Sequence, residues 1–184
     1  MKKFELTAEF VTNVFGKKLF RIKALVAFGD VEKGELGGFI EKEGNLSHDG
    51  DAWVSGDAWV SGDARVYGDA WVSGDARVSG NAQVSGNAWV YGNAQVSGDA
   101  RVSGDADFSV VEGFGRYFRA TTFFRCKDKI LRVQCGCFYG DLAQFREIVK
   151  KTHGDSKYAK EYLAIADLME LHFSDEEEKQ EAVE

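Results

Sequence analysis

The chain has 184 residues, of which 44% are hydrophobic, so it is long and apolar enough for one sizeable core or two small ones. Its 21 glycines and its lack of proline mean that bends come from Gly, Asn and Asp, which favours a turn-rich β architecture. The net charge of −7 argues against phosphate binding by the whole chain. That charge is uneven, because residues 51–110 carry −5 (3 Arg, 8 Asp) and residues 111–173 carry +3 (11 basic, 8 acidic), so a local basic patch stays open.

The first residues, "MKKFELTAEF", are too polar for a secretory signal, and no run of the sequence reaches membrane-spanning length. Three cysteines form no disulfide framework, which fits a reducing compartment. We therefore expect a cytoplasmic protein that does not engage a membrane.

Residues 1–50 are expected to form an N-terminal β cap. The segments "FELTAEFVT" and "KKLFRIKAL" are typical of strands around the turn "NVFG", and "GDVEKGELGG" is typical of a loop. The segment "GNLSHDG" resembles a degenerate copy of the repeat that comes after it.

Ten six-residue units follow one another without insertion over residues 51–110. Ala holds the second slot of every unit, and Val holds the fourth slot in all but the last, where Phe replaces it. Strand alternation places these two slots on one side and the third and fifth slots on the other. Gly followed by Asp or Asn supplies a corner. Each hexad is therefore predicted to be one short strand and one turn, wound into a parallel β-helix.

This pattern resembles the hexapeptide-repeat proteins, in which an aliphatic residue recurs every six positions with a small residue two places before it, as Ala52 and Val54 do in this chain. The resemblance implies three hexads to each left-handed coil of eighteen residues. Residues 51–110 would then make about three and one third coils. Such a stack needs a cap at each end, because its interior is otherwise open.

The third slot varies, and a period of eighteen residues sorts its occupants onto three faces. Trp53, Trp71 and Trp89 fall on one face and form a vertical ladder. Tyr91 lies on the same face, and Asp107 would hold the last position of the ladder. Trp59 lies on the second face, above Arg77 and Gln95. The third face carries Arg65, Gln83, Arg101 and Tyr67.

Aligned indoles would make an apolar strip of a size that usually marks an interface. One interpretation is that the strip is covered within the protein, either by a helix over residues 158–173 or by a second copy in a dimer or trimer. The other is that it binds a partner macromolecule or stacks on bases or sugars. The candidate interface residues are Trp53, Trp71, Trp89, Trp59 and Tyr91.

After residue 110 the hexads stop, and residues 111–173 are predicted to form a small ββαα module. The segments "YFRATTFFRC" and "KILRVQCGCF" predict a hairpin turning near Asp128, with Thr122, Phe124, Val133 and Cys135 on one face. Asp141 and Gln144 form a capping-box-like pair before a first helix that Gly154 ends, and a second amphipathic helix follows. Residues 174–184 are expected to be an acidic, solvated or disordered tail.

The flanking segments resemble proteins of phages and prophages. "LFRIKALVAFGDVEKGELGGFIEKEGNLSHDGDAWV" is similar to the N-terminal part of a bacterial and phage family of hexapeptide-repeat proteins, whose members are often labelled transferases without demonstrated chemistry. "TTFFRCKDKILRVQCGCFYGDLAQF" and "THGDSKYAKEYL" resemble a C-terminal module of phage members. The resemblance implies a phage or prophage origin, hence the host bacterial cytoplasm, and supplies no activity.

Three chemistries come into question for this chain. Many hexapeptide-repeat proteins are acyltransferases, and the resemblance implies a histidine base for that reaction, but residues 51–110 contain no histidine and His48 lies in the cap. A zinc site from Cys126, Cys135, Cys137 and His153 conflicts with the hairpin register, which separates Cys126 from Cys135 by more than ~10 Å. The Asp rows that begin the hexads could mimic nucleic-acid phosphates, but turn chemistry is the stronger explanation, because Asn81, Asn87 and Asn93 replace Asp without disturbing the pattern.

We therefore expect a mainly β fold, with no catalytic residues, metal or cofactor. The function expected is a non-catalytic, phage-derived binding protein that engages a host protein or protein complex, such as an anti-CRISPR-like inhibitor of bacterial defence. The alternatives are an acyltransferase acting on an acyl-CoA and a self-assembling structural component. Homo-oligomers are expected, and binding of nucleic acid or nucleotide is possible but not indicated.

Overall fold

A computed structural model describes residues 2–174, except for the side chain of Asp105. Apart from Ser174, the expected acidic tail lies outside the described residues. The strands and helices, in chain order, are β1 (Phe4–Thr12), β2 (Lys18–Ala24), β3 (Leu36–Ile40), β4 (Trp53–Val54), β5 (Trp59–Val60), β6 (Arg65–Val66), β7 (Trp71–Val72), β8 (Arg77–Val78), β9 (Gln83–Val84), β10 (Trp89–Val90), β11 (Gln95–Val96), β12 (Arg101–Val102), β13 (Phe108–Val111), β14 (Thr121–Arg125), β15 (Leu131–Cys135), β16 (Phe138–Asp141), α1 (Leu142–His153) and α2 (Lys157–His172). Two short 3-10 turns lie at Glu43–Asn45 and Asp105–Asp107.

The nine two-residue strands β4 to β12 wind into a β-solenoid of about four turns, counting an irregular first turn. Each strand pairs in parallel with the strand three places further along, so that Trp53 is in register with Trp71, and Trp71 with Trp89. The strands stack as β4-β7-β10, β5-β8-β11 and β6-β9-β12. The predicted period of eighteen residues is therefore the period of the fold.

The interior of the solenoid is built from the second and fourth slots of the hexads, as alternation predicts. Every one of these residues from the first regular coil to the last is at most 1% exposed: Ala52, Val54, Ala58, Val60, Ala64, Val66, Ala70, Val72, Ala76, Val78, Ala82, Val84, Ala88, Val90, Ala94, Val96, Ala100 and Val102. Small and medium aliphatic side chains thus fill the narrow cross-section of the coil.

Glycine at the corners is required on two grounds, and Gly80 shows both. Its φ of +69° lies in the left-handed region, which disfavours residues with a Cβ. A Cβ there would also approach the backbone nitrogen of Gly98 in the next coil to 2.9 Å. Corners therefore stack backbone on backbone, which keeps successive coils in register.

The N-terminal strands extend one face of the solenoid. Strands β1, β2 and β3 pair antiparallel, and β3 then pairs in parallel with β5, where Phe39 faces Trp59. A parallel bridge joins Leu46 to Val66, so "GNLSHDG" does continue the repeat as an irregular coil. Lys3 and Asn45 are buried, and each donates to two carbonyl oxygens at a corner and just after it. Lys3 Nζ donates to Gly50 at 3.0 Å and to Ala52 at 2.8 Å, and Asn45 Nδ2 donates to Gly62 at 3.0 Å and to Ala64 at 2.8 Å.

The other end of the solenoid is closed by a four-stranded antiparallel sheet, β13-β14-β15-β16. The tenth hexad leaves the coil, because its last residues form β13 and pair with β14. Cys126 bridges to Ala100, and the Thr122 hydroxyl accepts a hydrogen bond of 2.9 Å from the Gln95 N–H. Phe108 and Phe124 complete the solenoid core.

The prediction that Val133 and Cys135 share a face with Thr122 and Phe124 is wrong. The hairpin does turn around Asp128, but Phe123 faces Val133 and Phe124 faces Arg132. In β14 and β15, odd-numbered residues therefore point to the helices and even-numbered residues to the solenoid. Because both faces of this sheet are covered, apolar residues occur in both sets, and alternation does not separate them.

The two predicted helices are present and pack on the outer face of this sheet. Asp141 caps α1, accepting from the Gln144 N–H at 2.8 Å, and the Gln144 side chain accepts in return from the Asp141 N–H at 3.0 Å. Phe145 lies in edge contact with Phe123 and with Tyr162 of α2. Within residues 2–174, no helix is long and apolar enough to cross a membrane.

Candidate interaction surface

The three tryptophans of the ladder are in register but differ in exposure. Trp53 is 0% exposed, Trp71 is half-buried and Trp89 is 54% exposed. The β4-β7-β10 sheet therefore becomes progressively more open toward its C-terminal coil.

Trp53 does not belong to an open surface, so its assignment as an interface residue needs correction. The Phe28 ring packs edge-on against the Trp53 indole, with 5.4 Å between centroids, and Gly37 lies directly against the same ring. The loop predicted from "GDVEKGELGG" thus folds over the first coil. The cover is supplied by the N-terminal segment, and not by helix α2 or a second copy as the sequence suggests.

Trp59 lies on the neighbouring sheet, as the period predicts, and is not brought together with the ladder. The guanidinium of Arg77, one coil away, lies over its indole at 4.7 Å from the ring centroid. The remaining ring is half-buried. Its contacts are those of a structural cation–π pair.

Trp89 and Tyr91 stand at the centre of the exposed aromatic cluster. The Trp89 indole N–H donates to the Ser73 hydroxyl at 2.8 Å, which fixes the ring across two coils. Tyr91 lies in edge contact with Trp89 at 5.9 Å and with the buried Phe108 at 6.0 Å. Tyr91 is itself 51% exposed. We call Trp71, Trp89, Tyr91 and Phe108 the aromatic face.

Two hollows lie on either side of Trp89. The Trp71 hollow, of about 260 Å³, is lined by Asp30, Asp69, Trp71, Asn87 and Trp89. The Phe108 hollow, of about 300 Å³, is lined by Trp89, Tyr91, Phe108, Ser109, Val110 and His172. The end of α2 therefore borders the aromatic face at His172 and leaves Trp89 and Tyr91 accessible.

Sequence reasoning finds three members of this surface and misses its borders. Asp69 and Asn87 hold the first slot of hexads eighteen residues apart, so the same period that aligns the indoles could have placed them beside the ladder. Asp30 comes from the N-terminal loop and Phe108 from the departing tenth hexad. No repeat relates Asp30 to the ladder. The period does place Phe108 eighteen residues after Val90, but that slot predicts an inward side chain and not the border of a surface.

His48, the residue considered for acyl transfer, borders a hollow of about 580 Å³ together with Glu43, Arg65 and Tyr67. Its Nδ1 accepts the Lys3 backbone N–H at 3.1 Å, so Nε2 of the neutral ring carries the proton and donates to Glu43 at 2.7 Å. Hydrogen bonding to His48 keeps the pKa of Glu43 below its ordinary value. In this arrangement neither ring nitrogen is available to take a proton from an acceptor.

The cysteines lie on different sides of the C-terminal sheet. Cys126 is buried against the solenoid, with its Sγ 3.8 Å from the Tyr139 hydroxyl, whereas the Cys135 Sγ accepts from the Thr121 hydroxyl at 3.2 Å. Cys137 is exposed. Among residues 2–174, no three His, Cys, Asp or Glu side chains are grouped so that they could hold a metal ion.

Residues 58–74, 82–94 and 94–106 match the family model of the YdcK beta solenoid repeat. The chain is a β-solenoid repeat protein. The matched segments cover the coils that carry Trp59, Trp71 and Trp89, and together they span less than half of the chain. A comparison with curated proteins finds no match.

Proposed function

We propose that this β-solenoid protein is a non-catalytic binding protein that engages a partner protein through its aromatic face. The observation that carries the proposal is the exposure of Trp89 and Tyr91, 54% and 51%, on a rigid stack of coils. Tryptophan and tyrosine are the residues most often found at the energetic centre of protein interfaces.

The aromatic face is also pre-organised. Trp89 is held by Ser73, and Tyr91 is wedged between Trp89 and Phe108. Side chains that are already fixed lose little conformational entropy when a partner covers them. The hollows on both sides of Trp89 offer recesses for partner side chains.

We further propose that the partner is a protein of the bacterial host. The resemblance of the flanking segments to phage and prophage proteins supports a host bacterial protein or complex as the partner, and inhibition of a defence system as the outcome. Plating of a phage on a host that carries the defence system tests this. Plating should improve when the chain is expressed and should not improve with the Trp89→Gln variant.

Affinity capture from the host, quantified against matched variants, tests the binding function. Gln occupies the third slot in Gln83 and Gln95, so Trp89→Gln is compatible with the coil. Trp59→Gln is the control, because it removes the same side chain from another face. A partner that depends on Trp89 and not on Trp59 supports the proposal. Equal capture by both variants, or a dimer that dissociates on Trp89→Gln alone, contradicts it.

We also propose that the solenoid is of the left-handed hexapeptide-repeat type and that its C-terminal sheet and helices form the phage-associated module. Hexads in groups of three and the small-then-aliphatic slots support the first part. The winding sense in an experimental density map tests it, and a right-handed coil would refute it.

A further inference from the structure

The Trp71 hollow combines indole rings with carboxylates. Asp30 and Asp69 line it together with Trp71, Asn87 and Trp89, and the described lining contains no Lys or Arg. Two negative charges thus stand beside two π faces with no opposing charge among the lining side chains. The buried Lys3 ammonium interacts electrostatically with Asp69 from outside the lining, where it donates to the carbonyl oxygens of Gly50 and Ala52. Such an environment favours a cation and disfavours a phosphate.

Backbone hydrogen bonds hold the Asp69 carboxylate and the turn that carries Asp30. Asp69 Oδ1 accepts the Asp51 N–H of the preceding coil at 3.3 Å. Asp30 lies in a two-residue turn closed by reciprocal hydrogen bonds between Phe28 and Val31, of 3.1 and 2.8 Å. Gly29 has a φ of +47°, which lets that turn form.

The cover on Trp53 is what holds this turn in place. Phe28 packs on the Trp53 ring and Val31 is 2% exposed, so the residues on both sides of the turn are anchored in the core. Asp30, between them, is exposed at the edge of the Trp71 hollow. The loop therefore buries one tryptophan and presents a carboxylate beside the next.

We propose that the Trp71 hollow binds a cationic side chain, arginine or lysine, from a basic segment of the partner protein. This inference rests on the proposed function and specifies the chemistry of the partner. The cation stacks on the exposed indole surface and pairs with Asp30 and Asp69, while the Asn87 side-chain oxygen offers a further acceptor.

Titration of the labelled full chain with N-acetylarginine methylamide, followed by nuclear magnetic resonance, tests the proposal. The indole N–H signals of Trp71 and Trp89 should shift and saturate, and those of Trp53 should not. N-acetyllysine methylamide should act similarly. The citrulline analogue has nearly the same shape without the charge and should leave all signals in place. Absence of a saturable shift, or equal shifts with citrulline, overturns the proposal.

Charge variants locate the site. Asp30→Asn with Asp69→Asn should weaken arginine binding about fivefold, from two partly screened ion pairs. The control, Asp75→Asn with Asp155→Asn, removes the same charge from exposed positions outside the hollow and should change nothing. Equal binding by the two double variants overturns the proposal.

The same double variants separate this inference from the proposed function. Partner capture that depends on Trp89 but is unchanged by Asp30→Asn with Asp69→Asn refutes the cation site and leaves the binding function standing. Arginine binding at the hollow, combined with capture that does not depend on Trp89, refutes the binding function instead.

Discussion

Trp53 and Trp89 occupy the same slot of their hexads and stand in the same stacked sheet, two coils apart, yet the first is 0% exposed and the second 54%. The difference comes from Phe28, which covers Trp53 and does not reach Trp89. Equivalent positions of the repeat therefore have different roles. Trp53 anchors the N-terminal loop to the solenoid, and Trp89 presents an exposed aromatic surface.

Replacement of these two tryptophans should separate the roles. Trp53→Ala removes a fully buried indole and should lower the free energy of unfolding by about 3–5 kcal/mol. Trp89→Gln should change it by no more than about 1 kcal/mol, because the side chain is exposed and its bond to the Ser73 hydroxyl is a neutral one near the surface. Urea unfolding measures both. Equal losses would show that Trp89 is a core residue and would remove it from the aromatic face.

The regular part of the fold could be predicted from the sequence because each hexad repeats the same pattern of inward and corner residues. Ala and Val recur at the inward slots, Gly recurs at each corner, and the period of eighteen places Trp71 beneath Trp89. The cover on Trp53 could not be inferred in this way. It depends on Phe28 in a loop that has no repeat to fix where it packs.

In the C-terminal sheet, the sequence pattern could not assign the two faces of the strands. Its two faces are both buried, one on the solenoid and one on the helices, so Phe123 and Phe124 are equally apolar and equally covered. Alternation assigns a face only when one side of a strand meets water. The cap of α1 at Asp141 could be predicted from the sequence because capping is a local interaction between residues three positions apart.

His48→Ala tests whether this residue serves structure or catalysis. Loss of the imidazole leaves the Lys3 N–H without its acceptor and Phe4 without the ring stacked on it at 4.3 Å. We expect the free energy of unfolding to fall by about 1–3 kcal/mol. A panel of acyl-CoA donors with hydroxyl and amine acceptors should show no turnover by the wild type. Turnover that His48→Ala abolishes would establish the enzyme hypothesis instead.

Glu41 should make stability depend on pH. The hydrogen bond from Lys17 at 2.8 Å, and then that from the Gly62 N–H at 2.7 Å, hold the pKa of Glu41 below its ordinary value. The folded state thus binds the proton less readily than the unfolded state. The stabilisation is complete above the ordinary glutamate pKa of about 4.3 and is lost as the pH falls through the folded pKa.

Comparison of Glu41→Gln with the wild type measures this effect. The variant should be less stable by about 1 kcal/mol near neutral pH, and the difference should shrink in acid. Glu5→Gln, which removes an exposed carboxylate from β1, serves as the control for net charge. A difference that stays constant from neutral pH to acid would refute the assignment.

The cysteines should differ in reactivity. Burial raises the pKa of the Cys126 thiol, and the hydrogen bond with Tyr139 lowers it by a smaller amount. Little thiolate therefore forms at neutral pH. Burial, and then the hydrogen bond with Cys126, raises the pKa of Tyr139 to about 12. Iodoacetamide should therefore label the exposed Cys137 well before Cys126, as peptide mass spectrometry can follow. Equal labelling rates of Cys126 and Cys137 in the native protein would contradict the burial of Cys126. In urea, where the chain is unfolded, the two labelling rates should be equal, which provides the control.

Site-specific photo-crosslinking inside the producing cell asks whether the aromatic face contacts a partner protein. Tyr91 and Tyr67 hold the same slot of their hexads and are 51% and 39% exposed, but Tyr91 lies on the aromatic face and Tyr67 on another. With p-benzoylphenylalanine at position 91, irradiation should yield one discrete crosslinked partner protein, which position 67 does not yield. The same crosslinks from both positions, or none from position 91, would contradict binding through the aromatic face.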